Sequence, residues 1–302
     1  MSLVPANFNL SVGSTTDAAG RTNNEDAIMA RPIALPPSSG GTGYVLAVAD
    51  GMGGYERGEM ASQLAIDLLA DLFARDTPDD IALALKQAYR RANEAIYNRS
   101  LEDPDAGPMG TTLVSAVVHG KYVTIANVGD SRAYLLRANQ LTQVTQDHSV
   151  VAEQVAKGTM TEQAARTSPQ RNLITHALGV SEKLDQRMPS IYELALLPED
   201  RLLLCSDGFF DVLQSEDYVS TLLANNPQES SLALVQTAVA RGTTDNVSAV
   251  ILEVSPSLAT VQRAALETEI AANAPRFNPV LVAVFVLVLV IALIGAGIFV
   301  FM

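Results

Sequence analysis

Three aspartates each stand just past an apolar run: Asp50 after Val45-Leu46-Ala47-Val48-Ala49, Asp130 after Asn127-Val128-Gly129, and Asp207 after Leu203-Leu204-Cys205-Ser206. Short apolar runs read as buried strands, and the end of a strand is where a sheet can aim side chains from several segments at one point. Asp26, in Asn24-Glu25-Asp26, and Asp245, in Thr244-Asp245-Asn246 ahead of the last apolar run, complete an oxygen-only set. A turn or a helix cap explains any one of them. All five together point to a site for hard cations, because carboxylates without thiolates or a convincing set of imidazoles favour Mg²⁺ or Mn²⁺ over zinc. Packed without cations, they would repel and raise one another's pKa.

Gly51-Met52-Gly53-Gly54 follows a strand-like run and precedes a helical pattern. A dinucleotide-binding loop is excluded, since Glu56 occupies the last glycine position of that spacing. The glycines instead let backbone approach an ion closely, which makes the carbonyl of Gly51 a candidate ligand.

These residues need a core to hold them, and 302 residues with 48% hydrophobic content supply one. The formal charge of -13, from 33 acidic and 20 basic residues, excludes nucleic acid as the expected partner. Cys205 is the single cysteine, and its apolar run makes it a packing residue.

Apolar positions in 60–73 and again at Ile81, Leu85, Ala88, Ala92 and Ile96 follow helical spacing, predicting two packed antiparallel helices on a sheet. Strands are predicted at 44–49, 111–118, 123–128, 133–137, 201–205 and 246–254. The short links 119–122 and 129–132 predict two hairpins, 111–118 with 123–128 and 123–128 with 133–137, hence antiparallel pairing. Residues 150–188 are polar, contain Gly158 and Pro169, and read as a surface subdomain or flap.

Residues 255–279 read as a stalk ended by Pro275 and Pro279. The uncharged run 280–302 exceeds the roughly 20 apolar residues that span a bilayer, predicting one C-terminal transmembrane helix. The first seven residues carry neither the basic start nor the apolar stretch of a secretory signal, so the folded domain is expected in the cytoplasm, tethered to the cell membrane by a single pass.

Seven motifs occur in order: Gly20-Arg21-Thr22-Asn23-Asn24-Glu25-Asp26, Val48-Ala49-Asp50-Gly51-Met52-Gly53-Gly54, Met109-Gly110-Thr111-Thr112, Asn127-Val128-Gly129-Asp130-Ser131-Arg132-Ala133-Tyr134, Asp147-His148-Ser149, Leu204-Cys205-Ser206-Asp207-Gly208-Phe209-Phe210-Asp211 and Thr244-Asp245-Asn246-Val247-Ser248. Together they resemble the metal-dependent protein phosphatase family, PPM or type 2C, in its bacterial form. The resemblance implies an α+β fold over residues 1–254, a four-layer α-β-β-α sandwich of two mainly antiparallel sheets flanked by helices. It implies two Mg²⁺ or Mn²⁺ ions bridged by hydroxide, with Asp50 on both ions, the Gly51 carbonyl on one, and Asp207 and Asp245 on the other. Glu25 and Asp26 would act mostly through waters. Asp130, Asp207 and Asp211 match a weaker third site, and Arg21 matches the residue that grips the substrate phosphate.

The implied activity is hydrolysis of phosphoserine and phosphothreonine in proteins, reversing a serine/threonine kinase, by a catalytic domain expected to be monomeric. A membrane scaffold without turnover and a phosphatase dedicated to one regulator, such as an anti-sigma-factor antagonist, are the alternatives. Met52 departs from some eukaryotic members, which carry a histidine there proposed to protonate the leaving group; His148 belongs to another motif and is expected to be structural.

Overall fold

The structure, a computed structural model, describes residues 8–35, 42–53, 56–74, 77–103, 105 and 107–257. The expected stalk and transmembrane segment lie outside the described residues, apart from the first residues of the stalk. Among the described residues no helix is long and apolar enough to cross a membrane.

Two sheets form from the apolar runs. The first contains β1 (Phe8–Asp17), β11 (Val247–Pro256), β10 (Arg201–Cys205), β7 (Arg132–Arg137) and β8 (Gln140–Gln143), in that spatial order. The second has β2 (Asp26–Ala34), β3 (Thr42–Met52), β5 (Leu113–His119), β6 (Tyr122–Val128) and β9 (Ser190–Ala195), with the short β4 (Gly110–Thr111) paired to the end of β3. Every pairing between these strands is antiparallel.

Alternation along the strands decides the layers. Leu46, Val48, Val114, Ile125, Leu202, Leu204, Val250 and Leu252 face between the sheets. The opposite side of the second sheet packs Val45, Ala47, Leu113 and Val128 against α1 (Glu56–Leu72) and α2 (Ile81–Leu101). The opposite side of the first packs Leu203, Cys205 and Ile251 against α5 (Ser215–Ala224) and α6 (Pro227–Ala240). The result is the expected four layers, and Cys205 is fully buried in the outer core of the first sheet.

Helix starts are written locally. Asp80 caps α2 by accepting from the Leu83 amide at 2.9 Å. Asn226 and Glu229 form a capping box around Pro227 at the start of α6. Within the expected flap, α3 (Val150–Ala156) and α4 (Glu162–Arg166) are capped by Ser149 and Thr161, and the chain returns to the body through bridges Ser149–Ile174 and Thr111–Leu178.

One expected hairpin forms and the other does not. β5 pairs β6 as expected. β6 and β7, expected as partners, belong to different sheets: β6 pairs β5 and β9, whereas β7 pairs β10 and β8. The link between them carries the chain across the sandwich. Gly129 turns at φ 103°, and a Cβ there would meet the Thr112 side chain at 2.6 Å, so glycine alone allows the close crossing. Beyond it, Ala133 enters the inter-sheet core while Tyr134 and Leu136 face the helices.

Tyr89 ties α2 to the second sheet. Its buried hydroxyl lies 2.8 Å from the Ala126 carbonyl, 2.9 Å from Ser115 Oγ and 3.2 Å from the Leu113 carbonyl. Tyr89→Phe leaves these acceptors short of a donor and should lower unfolding free energy by about 1–2 kcal/mol in urea denaturation.

Candidate metal centre

The carboxylates converge because both sheets end at the same edge of the sandwich. Asp26 opens β2 directly opposite Asp50 near the end of β3. Asp207 follows β10, and Asp245 precedes β11. Asp130 lies on the crossing between the sheets. Asp50, Asp130, Asp207 and Asp245 line one cleft of about 610 Å³ with Arg21, Glu25 and Gly51. Asp26 stands buried behind it, accepting from Ser206 Oγ at 2.8 Å. Asp211 is not in the lining; Arg171 from the flap region binds both its oxygens, at 3.2 and 2.9 Å.

The backbone around the cleft is fixed by hydroxyls and one amide. Thr112 Oγ1 accepts from the Asp50 amide at 3.0 Å and lies 2.7 Å from Ser131 Oγ, joining β3 to the crossing. Asn246 accepts from the Glu25 amide at 2.8 Å and donates to the carbonyls of Ala18 and Asn23, which holds the Arg21 loop against β11. A Cβ on Gly51 would meet the Gly58 carbonyl at 2.1 Å, so glycine is required where β3 passes the first turn of α1.

Arg132, two residues beyond Asp130, is a clamp that its motif does not reveal. Its guanidinium grips Asp147 at 2.6–3.0 Å, donates to Tyr134 Oη, and lies 3.6 Å from the centre of the Phe210 ring. It thereby secures the turn Asp207–Phe209 against β7. Only the arginine-aromatic pairing across the sequence could have revealed this, and residues 132 and 210 are too far apart for local reading.

Burial, followed by repulsion from Asp26, Asp207, Asp130 and Asp245, raises the Asp50 carboxyl well above its ordinary range. Burial is also the first cause at Asp130, pushed up to about 8 with help from Asp207 and Asp147. It raises Asp26 to about 7 against the hydrogen bonds from Ser248 and Ser206, and Asp207 to about 6 with help from Asp245. Among the described residues, Asp26 Oδ1 and Asp207 Oδ1 are buried without a hydrogen-bond partner. Acceptors left in that state are costly, and hard cations satisfy both the orphaned oxygens and the repulsion. The oxygen-only donor set therefore fits Mg²⁺ or Mn²⁺. Among the described residues no three such side chains converge as a finished ion cage. Asp245 is turned toward Arg21, whose Nη2 lies 2.8 Å from Asp245 Oδ2 while Nε donates to the Thr244 carbonyl.

The model for protein phosphatase 2C matches residues 20–244. The chain belongs to the protein phosphatase 2C family. It is 37% identical over 234 residues to the serine/threonine protein phosphatase PstP of Mycobacterium tuberculosis, covering 78% of this chain but only 43% of that relative's length. It is 34% identical over 214 residues to the serine/threonine phosphatase stp of Listeria welshimeri, covering 69% of this chain and 84% of that one. A crystal structure of the PstP catalytic domain in complex with two manganese ions superposes with a TM-score of 0.70 at 35% identity, over 82% of this chain and 99% of that one.

In this type 2C chain His148 is committed to structure. Its Nδ1 accepts from the Gly129 amide at 3.1 Å and its Nε2 lies 3.0 Å from Ser190 Oγ. Burial, with His176 adjacent, lowers it to about 4, so it is neutral near pH 7.

The raised carboxyls fix a pH dependence for the chelated protein. The folded state holds protons that unfolded aspartates, near 4, have already released, so these groups make stability fall as pH rises from about 4 to about 8. Histidine ionisation in the unfolded chain opposes this only below about 6.5. Melting temperature with chelator should therefore decrease between about pH 6.5 and 8.5, and Mn²⁺ should abolish most of that slope. A chelated protein that melts higher at the alkaline end would contradict the carboxylate assignment.

Proposed function

We propose that the chain is a metal-dependent protein phosphatase that hydrolyses phosphoserine and phosphothreonine. The observation that carries this reading is the buried, mutually repelling carboxylate set opening into one cleft beside an arginine, and the family membership supports it. Asp50, Asp207 and Asp245, with the Gly51 carbonyl, would hold two Mg²⁺ or Mn²⁺ ions, Glu25 and Asp26 acting around them. When bound, the ions acidify water as the nucleophile and offset charge on the phosphoryl group.

The protein's own contribution is placement. Thr112 and Ser131 fix the Asp50 backbone, and Ser206 orients Asp26. The planar guanidinium of Arg21, about half exposed at the rim, can bind two phosphate oxygens once it leaves Asp245. Among the described residues no imidazole lines the cleft to serve the leaving alkoxide: position 52 is methionine, and His148 is bound to Gly129 and Ser190. A weaker third ion at Asp130, Asp207 and Asp211 would require Asp211 to part from Arg171. Phosphorylated proteins, and a kinase that makes them, are the corresponding partners; the acidic charge of the chain supports no role for nucleic acid. The apolar run 280–302 supports a single-pass anchor that leaves the catalytic domain in the cytoplasm.

The reading is tested by Mn²⁺-dependent hydrolysis of an aryl phosphate and of phosphothreonine peptides, with and without chelator. Asp50→Asn and Asp207→Asn should each reduce turnover by roughly two orders of magnitude or more while the fold persists. If both variants keep more than about a tenth of wild-type turnover, the metal assignment is lost.

Arg21→Ala should raise KM for phosphopeptides more than it lowers kcat, as expected for a contact made in both ground and transition states. Unchanged steady-state constants would remove Arg21 from the site.

Truncation after Thr260 should yield a soluble, active enzyme, since the apolar run dominates membrane partition in an acidic chain. The full chain should stay in the membrane pellet after alkaline carbonate washing, with the truncated form in the supernatant. Release of the full chain would exclude a spanning helix.

A further inference from the structure

A second cavity adjoins the metal centre. Asn23 lines both, and the wall between them is the start of α1, where Glu25 lies so close to Gly58 that a Cβ there would meet its carboxyl at 2.7 Å. Immediately beyond Gly58, the groove is lined along α1 by Glu59, Met60, Gln63, Leu64 and Asp67. Glu59, Gln63 and Asp67 recur every four residues, so they form one stripe along about 12 Å of helix.

The stripe is acidic, and among the described residues neither carboxylate is in an ion pair. Asp67 accepts only from Gln63 Nε2, at 2.8 Å, and neither Asp67 nor Glu59 has a basic partner among the described residues. The two arginines beside the stripe pair with other groups, although Arg99 also lines the groove. Arg57 donates to the carbonyls of Ser100 and Asp103, and Arg99, at the far wall, is paired with Glu102 while touching the Met60 sulfur at 3.4 Å. Met60, 39% exposed, lines the groove between the two carboxylates.

We propose that this groove receives the polypeptide flanking the phosphorylated residue and selects substrates with lysine or arginine within about four residues of it. This rests on the phosphatase reading of the neighbouring cleft. Continuity through Asn23 supplies the path, and about four residues of extended chain, at about 3.3 Å each, match the length of the stripe. Glu59 and Asp67 would pair with the cation, and Met60 with Leu64 would take up the aliphatic stem of a long basic side chain. Both pairs are exposed, so each contributes only a few-fold and together about tenfold.

The experiment uses the full chain with phosphothreonine peptides that differ only in carrying lysine or glutamate at positions two to four, on either side of the phosphothreonine. Peptide binding by fluorescence anisotropy is measured beside turnover, and an aryl phosphate reports on the catalytic centre alone. Lysine on one side should raise kcat/KM and affinity about tenfold over glutamate, through KM, and the advantage should shrink in 0.5 M salt. Glu59→Gln with Asp67→Asn should erase that preference, Asp67→Asn alone should reduce it with aryl phosphate turnover unchanged, and Glu59→Lys should reverse it. Equal binding of lysine and glutamate peptides on both sides, or a preference that survives the double substitution, would overturn the proposal. So would a dimer of the full chain that only the double variant dissociates, which would give the groove to a second copy. Absence of aryl phosphate turnover would strike the phosphatase reading instead, while the anisotropy measurement would still decide the groove.

Discussion

Repulsion among carboxylates crowded at the ends of strands is the constraint around which this domain is organised. Asp26, Asp50, Asp130 and Asp207 are each pushed toward the neutral acid by burial and by one another. Left to local preferences the chain would keep such groups apart in water. What prevents this is the depth of the apolar layer between the sheets, where Val48, Val114, Leu204 and Val250 are fully excluded from solvent just behind the acidic edge. The hydrophobic core forces the strand ends together, and the polar network of Thr112, Ser131, Ser206 and Asn246 then sets the angle at which each carboxylate emerges.

Charge also explains why arginines surround the centre in pairs with aspartate. Arg132 with Asp147, Arg171 with Asp211 and Arg21 with Asp245 each hold a loop near the cleft. They are not equivalent. Arg132 is mostly covered and stacked on Phe210, so it serves as scaffold. Arg21 and Arg171 are half open to water, where an ion pair is weak and readily exchanged for another anion or cation. The centre thus has one permanent clamp and two replaceable contacts.

The sequence made the acidic positions legible because each aspartate adjoins a run whose apolar character is local. Strands with two buried faces, such as β5, β6 and β10, announced themselves for the same reason. β1, β2, β8 and β9 did not, since they mix polar residues or, in β2, include Pro32, as strands near a sheet edge can. α5 and α6 were equally silent: short amphipathic helices with small or polar residues carry a weak periodic signal. The false hairpin at 129–132 has a different origin. A four-residue link is compatible with a hairpin or a crossing, and the choice between them lies in the partners of β6 and β7, which are distant in the chain. The same non-locality hid the Arg132–Phe210 contact.

The crossing at Gly129 places the acidic set astride the seam of the sandwich: Asp26 and Asp50 belong to one sheet, Asp207 and Asp245 to the ends of the other, and Asp130 to the bridge. Any sliding of one sheet over the other therefore changes the spacing among the carboxylates before it disturbs a single strand pairing. The edge acts as a vernier on the alignment of the two layers. A methyl group added or removed deep between the sheets, at Leu46 or Leu252 for example, would be read out at the rim as altered cation affinity, which makes the interior of this protein part of its chemistry.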